Sequence, residues 1–412
     1  FITRKVTGFC SRRIGMILYM GIPLCTSLES LQSSKRESAL AELILNEEDT
    51  NYALSKVYDY YSDFNRIDDY FRETKVERLS NTASRLFPVE DEFFHDFDMS
   101  PMDMDFEIVE SGKGMWNDLF VHIGSFPSDE NPGKNIRFLV KEKNTNTVVG
   151  FVRLGSPTIN SKPRNDMLGG PPDLSKLNEH IIMGFVIVPA QPFGFNYLGG
   201  KLLTGICCSH YMRRLINEKY GVNICGFETT SLYGNIKSCS QYDGMKPFIR
   251  HVGETESRFL LTMMGKEFYD LNEWFTDRNG GEPIIHRDAS SRKLKIQTKM
   301  LSVIKASLKR HGRDEEHKKF SQFIEDSIDN LTTRKRQYWS DYGFSNVVDV
   351  MLGKDQELKK KENYDRYELE NVVEWWKKKA TKRYNTLVSE GRLRTESEVW
   401  TEDNMNTIDI IR

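Results

Sequence analysis

The chain has 412 residues, a formal net charge of −2, 38% hydrophobic residues and 29% charged residues. That composition supplies enough apolar material for two or three folding units, and it excludes a wholly disordered chain, a collagen-like chain and a polytopic membrane protein. The six cysteines are too sparse for a disulfide-stapled secreted scaffold.

Near the start, Arg12-Arg13 precede an apolar run from Ile14 to Leu24. Basic residues before such a run resemble a signal peptide. The run carries Gly15, Gly21 and Pro23 and is too short to span a bilayer, so a buried or irregular element is the expectation. No later run is long enough to cross a membrane. The expected body is therefore soluble, cytoplasmic in a bacterium or an infected host cell, and without a membrane partner.

Residues 29–130 hold 24 Asp/Glu against 9 Lys/Arg, whereas residues 286–383 hold 24 Lys/Arg against 16 Asp/Glu. The two ends could pair within one molecule, or the basic end could face phosphates. Solvated helix faces are the plainer alternative. Residues 28–86 read as helices, with Leu31, Leu40, Leu43 and Ile44 on one stripe and Tyr52, Val57, Tyr60, Tyr61, Phe64 and Ile67 on another. Residues 88–105 read as an acidic linker. The Asp96/Asp98 and Asp103/Asp105 spacings there lack the glycine turn and distal Glu of a calcium loop. No metal site is expected at these carboxylates. None is expected at Cys207, Cys208 and His210 either, since no C-x-x-C pair accompanies them.

The middle changes character. Ile136–Val140 and Thr147–Leu154 read as a hairpin across an Asn-Thr-Asn-Thr turn. Residues 156–173, rich in Pro, Gly, Asn and Ser, read as a loop. His180–Val188 is almost continuously apolar, as a strand buried on both faces should be. A helix follows over 198–220 and stops at Gly221, and Val222–Phe227 reads as a further strand. The C-terminal part reads as helices over 296–310, 317–333 and 366–390, with an exposed linker at 352–365.

These elements imply an α/β (α+β) protein in three parts: an acidic helical region over 1–105, a mixed-sheet core over 106–275 and a basic helical region over 276–412. The order hairpin, buried strand, Gly-bearing turn, helix, strand resembles an N-acetyltransferase-like (GNAT) core. In that family the turn after the buried strand holds the pyrophosphate of coenzyme A on backbone N–H groups at a helix start. The resemblance implies a cradle for acetyl-CoA or a related acyl donor at Gln191, Gly194 and Asn196. Asn196 departs from the family's small residue, and Gly199-Gly200-Lys201 offers a second flexible, cationic anion site.

A second run is more specific. Val188-Pro189, Leu198-Gly199-Gly200-Lys201-Leu202-Leu203, Tyr220-Gly221, Glu228-Thr229-Thr230 and Gly253-Glu254-Thr255 occur in the order found in the DruA family of Druantia anti-phage systems. The chain resembles that family over about 135–260, and departs from it in the acidic N-terminal region and the 156–173 insert. The resemblance implies phage–host conflict or DNA metabolism.

Glu228 follows a buried strand, where open α/β sheets place their chemistry. It is the candidate general base, with Tyr233 the candidate acid. The structural alternative pairs Glu228 with Arg250. Cys239 and His251 offer a remote thiol–base pair. Lys295, Lys299, Lys305, Lys309 and Arg310 crowd one helix, and Arg334-Lys335-Arg336 precede Tyr338-Trp339. Tyr342, Phe344, Trp375-Trp376 and Tyr384 continue the interleaving of basic and aromatic residues. Such interleaving suits single-stranded or distorted nucleic acid, so DNA is the expected partner of the basic helices, although tryptophans packed inward with lysines outward give the same pattern. Two functions therefore compete. One is an acyltransferase-like transferase acting on an amine such as a nucleobase. The other is a non-catalytic nucleic-acid-binding or virion-associated protein using the core as scaffold.

Overall fold

The computed structural model describes residues 43–82, 89–126, 133–232, 234, 238–256, 260–285, 292–331, 334–401 and 403–404. The described residues from Leu45 onward form one compact unit. Helices α1 (Glu47–Ser62) and α2 (Ile67–Thr82) precede strand β1 (Phe106–Glu110). Helix α3 (Lys113–Phe120) leads into the hairpin β2 (Asn135–Glu142) and β3 (Thr147–Gly155). Short helices α4 (Lys162–Leu168) and α5 (Leu174–His180) lead to β4 (Ile181–Pro189). Then come α6 (Phe193–Tyr197), α7 (Gly199–Cys207), α8 (His210–Tyr220) and β5 (Gly226–Ser231). After β6 (Arg250–Glu254) the chain makes α9 (Gly265–Arg278), α10 (Arg292–Arg310) and α11 (Asp314–Leu331) before β7 (Arg336–Ser340). Helices α12 (Val347–Met351) and α13 (Leu369–Ser389) close the chain.

All seven strands lie in one mixed sheet, in the order β1-β2-β3-β4-β5-β7-β6. Every neighbouring pair is antiparallel except β4 and β5. Their parallel ladder runs from Ile181 opposite Gly226 to Gly184 opposite Thr229. Beyond that point the two strands part. The Thr229 hydroxyl donates to the Gly184 carbonyl at 2.9 Å, and the Gln241 side-chain amide donates to the Ile187 carbonyl at 2.9 Å. A strand that loses its partner must satisfy its carbonyls elsewhere, and here a side chain of β5 and one of the loop that follows it do so.

Both sheet faces are covered, which is why β3 is buried along its whole length. One face packs Phe138, Val152 and Ile182 against Phe193, Leu203, Met212 and Trp376. The other packs Leu139, Phe151 and Val186 against Trp116 and Phe120 of α3. Close approach fixes one glycine: a Cβ on Gly226 would stand 2.3 Å from the indole of Trp339 on β7.

The structure departs from the sequence reading at four places. The 156–173 insert is not all loop, since Pro163 sits in the first turn of α4 and Gly169, in the left-handed region, ends it. The 198–220 helix is two helices, because Ser209 caps α8 by accepting from the Met212 N–H and so restarts the chain in a new direction. The acidic 88–105 linker buries Phe93, Phe94 and Phe97. Finally, the basic C-terminal region is not a separate helical part: it supplies β7 between β5 and β6, and α13 packs on the core. The acidic helices likewise join the basic ones. The Leu45 N–H donates to Ser307 of α10, and Arg278 of α9 pairs with Asp49 of α1 at 3.3 Å.

Candidate functional site

Segment 191–201 turns out of β4 into α6 and α7, but its groups are spent within the chain. The N–H groups of Gly194, Asn196 and Lys201 donate to Ala190, Pro192 and Leu198 carbonyls, and that of Phe195 donates to the Gln191 side chain. Asn196 is fully buried. Its amide donates to the Arg394 carbonyl at 2.7 Å, and its oxygen accepts from the Arg394 N–H at 3.2 Å. The Lys201 ammonium donates to the Gln241 and Asp243 carbonyls, and burial lowers its pKa. Phe193 and Tyr197 are fully buried, with Phe193 stacked on Trp376 at 6.2 Å. A Cβ on Gly194, Gly199 or Gly200 would come within 3 Å of Gln191, Phe193 or Gln241 respectively. In this structure side chains of the chain itself lie against the glycines of the cradle expected for coenzyme A.

Glu228 lies on β5 inside a buried polar network. Its carboxylate accepts from the Arg164 guanidinium at 2.8 Å and from the Gln337 amide at 2.9 Å, and Arg164 and Glu228 are both essentially fully buried. The guanidinium also donates to the Thr158 and Ile159 carbonyls at 2.9 and 2.6 Å, and the Ser161 hydroxyl donates to Gln337. The structural alternative drawn from the sequence has Glu228 bonded to backbone or to Arg250. That residue instead pairs with Asp341 at 3.0 Å, because β6 is separated from β5 by β7. The true partner comes from α4, within the stretch read as a loop. A short apolar strand ending in Glu signals a buried carboxyl, but not its partner.

Burial pushes the Glu228 carboxyl up to about 7, against the opposing pull of Arg164 and Gln337. Between the unfolded value of 4.5 and about 7 the folded chain holds a proton that the unfolded chain has lost. Stability from this group is therefore full below 4.5 and declines as pH rises to about 7, by roughly 3 kcal/mol. Urea midpoints measured from pH 4.5 to 8 should fall more steeply for the wild type than for Glu228→Gln. Parallel profiles would show that the carboxyl does not titrate in this range.

Tyr233 lies outside the described residues. Cys239 and His251 are both exposed, and the His251 ring lies 5.5 Å from that of Tyr338. Cys207, Cys208 and Cys225 are buried thiols, with desolvation raising the pKa of each. Among the described residues no group of three or more His, Cys, Asp or Glu could hold a metal ion.

The basic positions divide into two places. Helix α10 holds two arginines and five lysines and no carboxylate. Its Ile296, Met300, Val303, Ile304 and Leu308 are buried, while Lys295, Lys309 and Arg310 are exposed and Lys299 and Lys305 half-exposed. At 100° per residue these five cations share one face. Among the described residues none of the five makes an ion pair. Their field reaches α11: desolvation first, then Lys309 and Lys305, lower the His317 pKa. Arg334, Lys335 and Arg336 lie elsewhere, at the start of β7. Lys335 is half-buried with a lowered pKa, and Arg336 pairs with Asp243 at 3.6 Å. Of the interleaved aromatics, Tyr338, Trp339, Tyr342, Phe344 and Trp376 are buried in the core, whereas Tyr384 and Trp375 are half-exposed, the latter with the Lys379 ammonium 5.3 Å from its ring.

The fold and these sites define a mixed α/β protein with a seven-stranded sheet, a buried Arg164–Glu228 pair and a basic helix that carries no carboxylate of its own. Residues 89–241 match the family model of the Druantia protein DruA. No curated protein and no solved structure matches the chain. The matched segment begins in the aromatic-rich turn before β1 and ends beyond β5, so it holds five of the seven strands and Arg164 with Glu228. Among the described residues no helix is long and apolar enough to cross a membrane.

Proposed function

We propose that the chain is a DruA-like protein of phage–host conflict whose sheet is a scaffold and whose α10 face binds the nucleic-acid backbone. The family-model match carries the biological context. The observation that carries the ligand is the row of Lys295, Lys299, Lys305, Lys309 and Arg310, aligned on one face with no carboxylate on the helix to neutralise it. From Lys295 to Lys309 the helix rises about 21 Å, enough to span roughly six phosphates of one strand at about 3.4 Å each. Arg334, Lys335 and Arg336 are not part of this face.

Gel shifts at a series of salt concentrations test the reading. About five phosphate contacts predict a slope of log affinity on log salt near −4.5 for duplex DNA, or several hundred-fold weakening between 50 and 200 mM. Lys299→Glu with Lys309→Glu should cut the slope by about two or more. An absence of binding at low salt would refute the proposal.

A second reading keeps the core catalytic. Its support is the place of Glu228, beside the point where β4 and β5 part, with a carboxyl poised at about 7. Gln191, Gly194, Asn196, Gly199, Gly200 and Lys201 would then hold a CoA-type donor, and an amine such as a nucleobase would be the acceptor. Such a donor requires Phe193 and the Gln241 side chain to move out of the segment they now fill. Native mass spectrometry distinguishes the readings: a stoichiometric acyl-CoA mass retained on the purified protein would favour this one.

A further inference from the structure

Away from α10, Arg383, Arg392 and Arg394 gather where the chain beyond α13 runs back along segment 191–201. That run is pinned in place. The Glu398 N–H donates to the Gln191 carbonyl at 3.0 Å, and the backbone N–H and carbonyl of Arg394 both bond the buried Asn196 side chain. The Arg394 guanidinium lies 4.0 Å from the centre of the Phe195 ring, and that of Arg383, on α13, lies 4.7 Å from the same ring. One aromatic side chain thus brings two cations together. Arg394 also pairs with Glu398 at 2.7 Å, and Arg392 donates to Glu390 at 2.6 Å. Arg383 has no such carboxylate. Among the described residues it makes no ion pair, and its hydrogen bond is a long one, from Nε to the Phe195 carbonyl at 3.4 Å. It is half-buried, and desolvation first, then the charges of Arg392 and Arg394, lower its pKa. A guanidinium partly out of water among like charges, with its terminal N–H groups unspent, is unfavourable until an anion meets it.

We propose that Arg383 and Arg394 form a site for an oxyanion of the phosphate class, with the Phe195 ring holding both guanidiniums. A guanidinium stacks on a ring by its face and keeps the N–H donors along its edge for oxygen acceptors. Two such forks match the several oxygens of one phosphate, and these charge-assisted bonds are the strong ones. Glu398 is a weak competitor, because the Arg394 side chain is 47% exposed and an exposed pair contributes about 0–1 kcal/mol. The donors are side chains from α13 and the run beyond it, not the backbone N–H groups of segment 191–201, which are spent within the chain. The proposal stands apart from the α10 reading. Pyrophosphate, a small phosphomonoester and the backbone of a nucleic-acid strand all carry the required group, and two probes separate a small ligand from a strand.

Isothermal titration and thermal melts of the full chain with pyrophosphate, and fluorescence anisotropy with a labelled oligothymidylate, are the test. Pyrophosphate should bind the wild type saturably and raise its melting temperature. Arg383→Gln should weaken that binding roughly ten- to hundredfold and abolish the shift. Without ligand it should melt no lower than the wild type, since it removes a charge that its neighbours oppose. Arg394→Gln should repeat the loss of binding, and it serves in place of Arg383→Gln if that variant does not fold. Lys382→Gln, on the exposed side of α13, should leave pyrophosphate binding unchanged. If oligothymidylate alone depends on Arg383 and Arg394, the site stands and its ligand is a strand phosphate. Insensitivity of both probes to the two arginines, or an equal loss from Lys382→Gln, would overturn the site and leave the α10 reading intact.

Discussion

Replacing Glu228 with Met is expected to destabilise the fold by about 3–5 kcal/mol, because it strands the Arg164 guanidinium in the core. A buried arginine cannot escape by losing its proton, and the two carbonyls it also touches, those of Thr158 and Ile159, do not neutralise it. Arg164→Met should cost less at low pH than at high pH. The Glu228 carboxylate left behind can take up a proton, and its carboxyl is already pushed up to about 7 with the arginine in place. The double variant, Met at both positions, should recover most of the loss, since an apolar pair of similar volume needs no desolvation. Equilibrium urea unfolding of the three variants at pH 6 and pH 8 measures all of this. Additive losses in the double variant would mean that the two charges act independently and that the network is not the unit described.

Trp376→Ala should destabilise by about 3–5 kcal/mol as well, through a cavity rather than a charge. The indole is fully buried between Phe193 and Phe106, and its N–H donates to the Tyr197 carbonyl at 2.8 Å. Alanine leaves both an empty volume and a carbonyl whose remaining donors are few. A loss under 1 kcal/mol by chemical denaturation would show that α13 is an appendage rather than part of the core.

The periodicity of the middle of the chain was enough to place its hairpin and the buried β4 within two residues, and the Gly221 stop is kept. The strand expected over 222–227 begins later: β5 runs Gly226–Ser231 and shares only Gly226 and Phe227 with it. What the sequence hid was non-local. Tyr338-Trp339 read as stacking groups among cations because Arg334-Lys335-Arg336 precede them. Yet the alternation Arg336, Tyr338, Ser340 against Gln337, Trp339 is that of a strand, and only the partner strands show it to be central. Asn196 read as a flaw in a phosphate loop. Its partner Arg394 lies 198 residues away, so no window of sequence displays the pair. Arg164 was invisible for a related reason: a Pro- and Gly-rich stretch reads as loop, and a charged residue within it reads as solvated. For α10 the reverse holds. Its crowded cations, Lys295, Lys299, Lys305, Lys309 and Arg310, were plain, because a surface helix carries its polar face locally.

Strand β7 enters the sheet from far down the chain. About a hundred residues, including α9, α10 and α11, separate Ser231 from Ser340, yet these strands are neighbours. During synthesis at 5–20 residues per second, β5 therefore waits roughly 5–20 s with one side unpaired. Gly226 meanwhile presents bare backbone where the Trp339 indole will later lie. A nascent chain in that interval carries an open hydrogen-bonding rim next to an apolar hollow, the combination that draws other strands into misassembly. The helical excursion thus delays closure of the sheet, and a ribosome stalled before residue 340 would release a product with its centre still exposed.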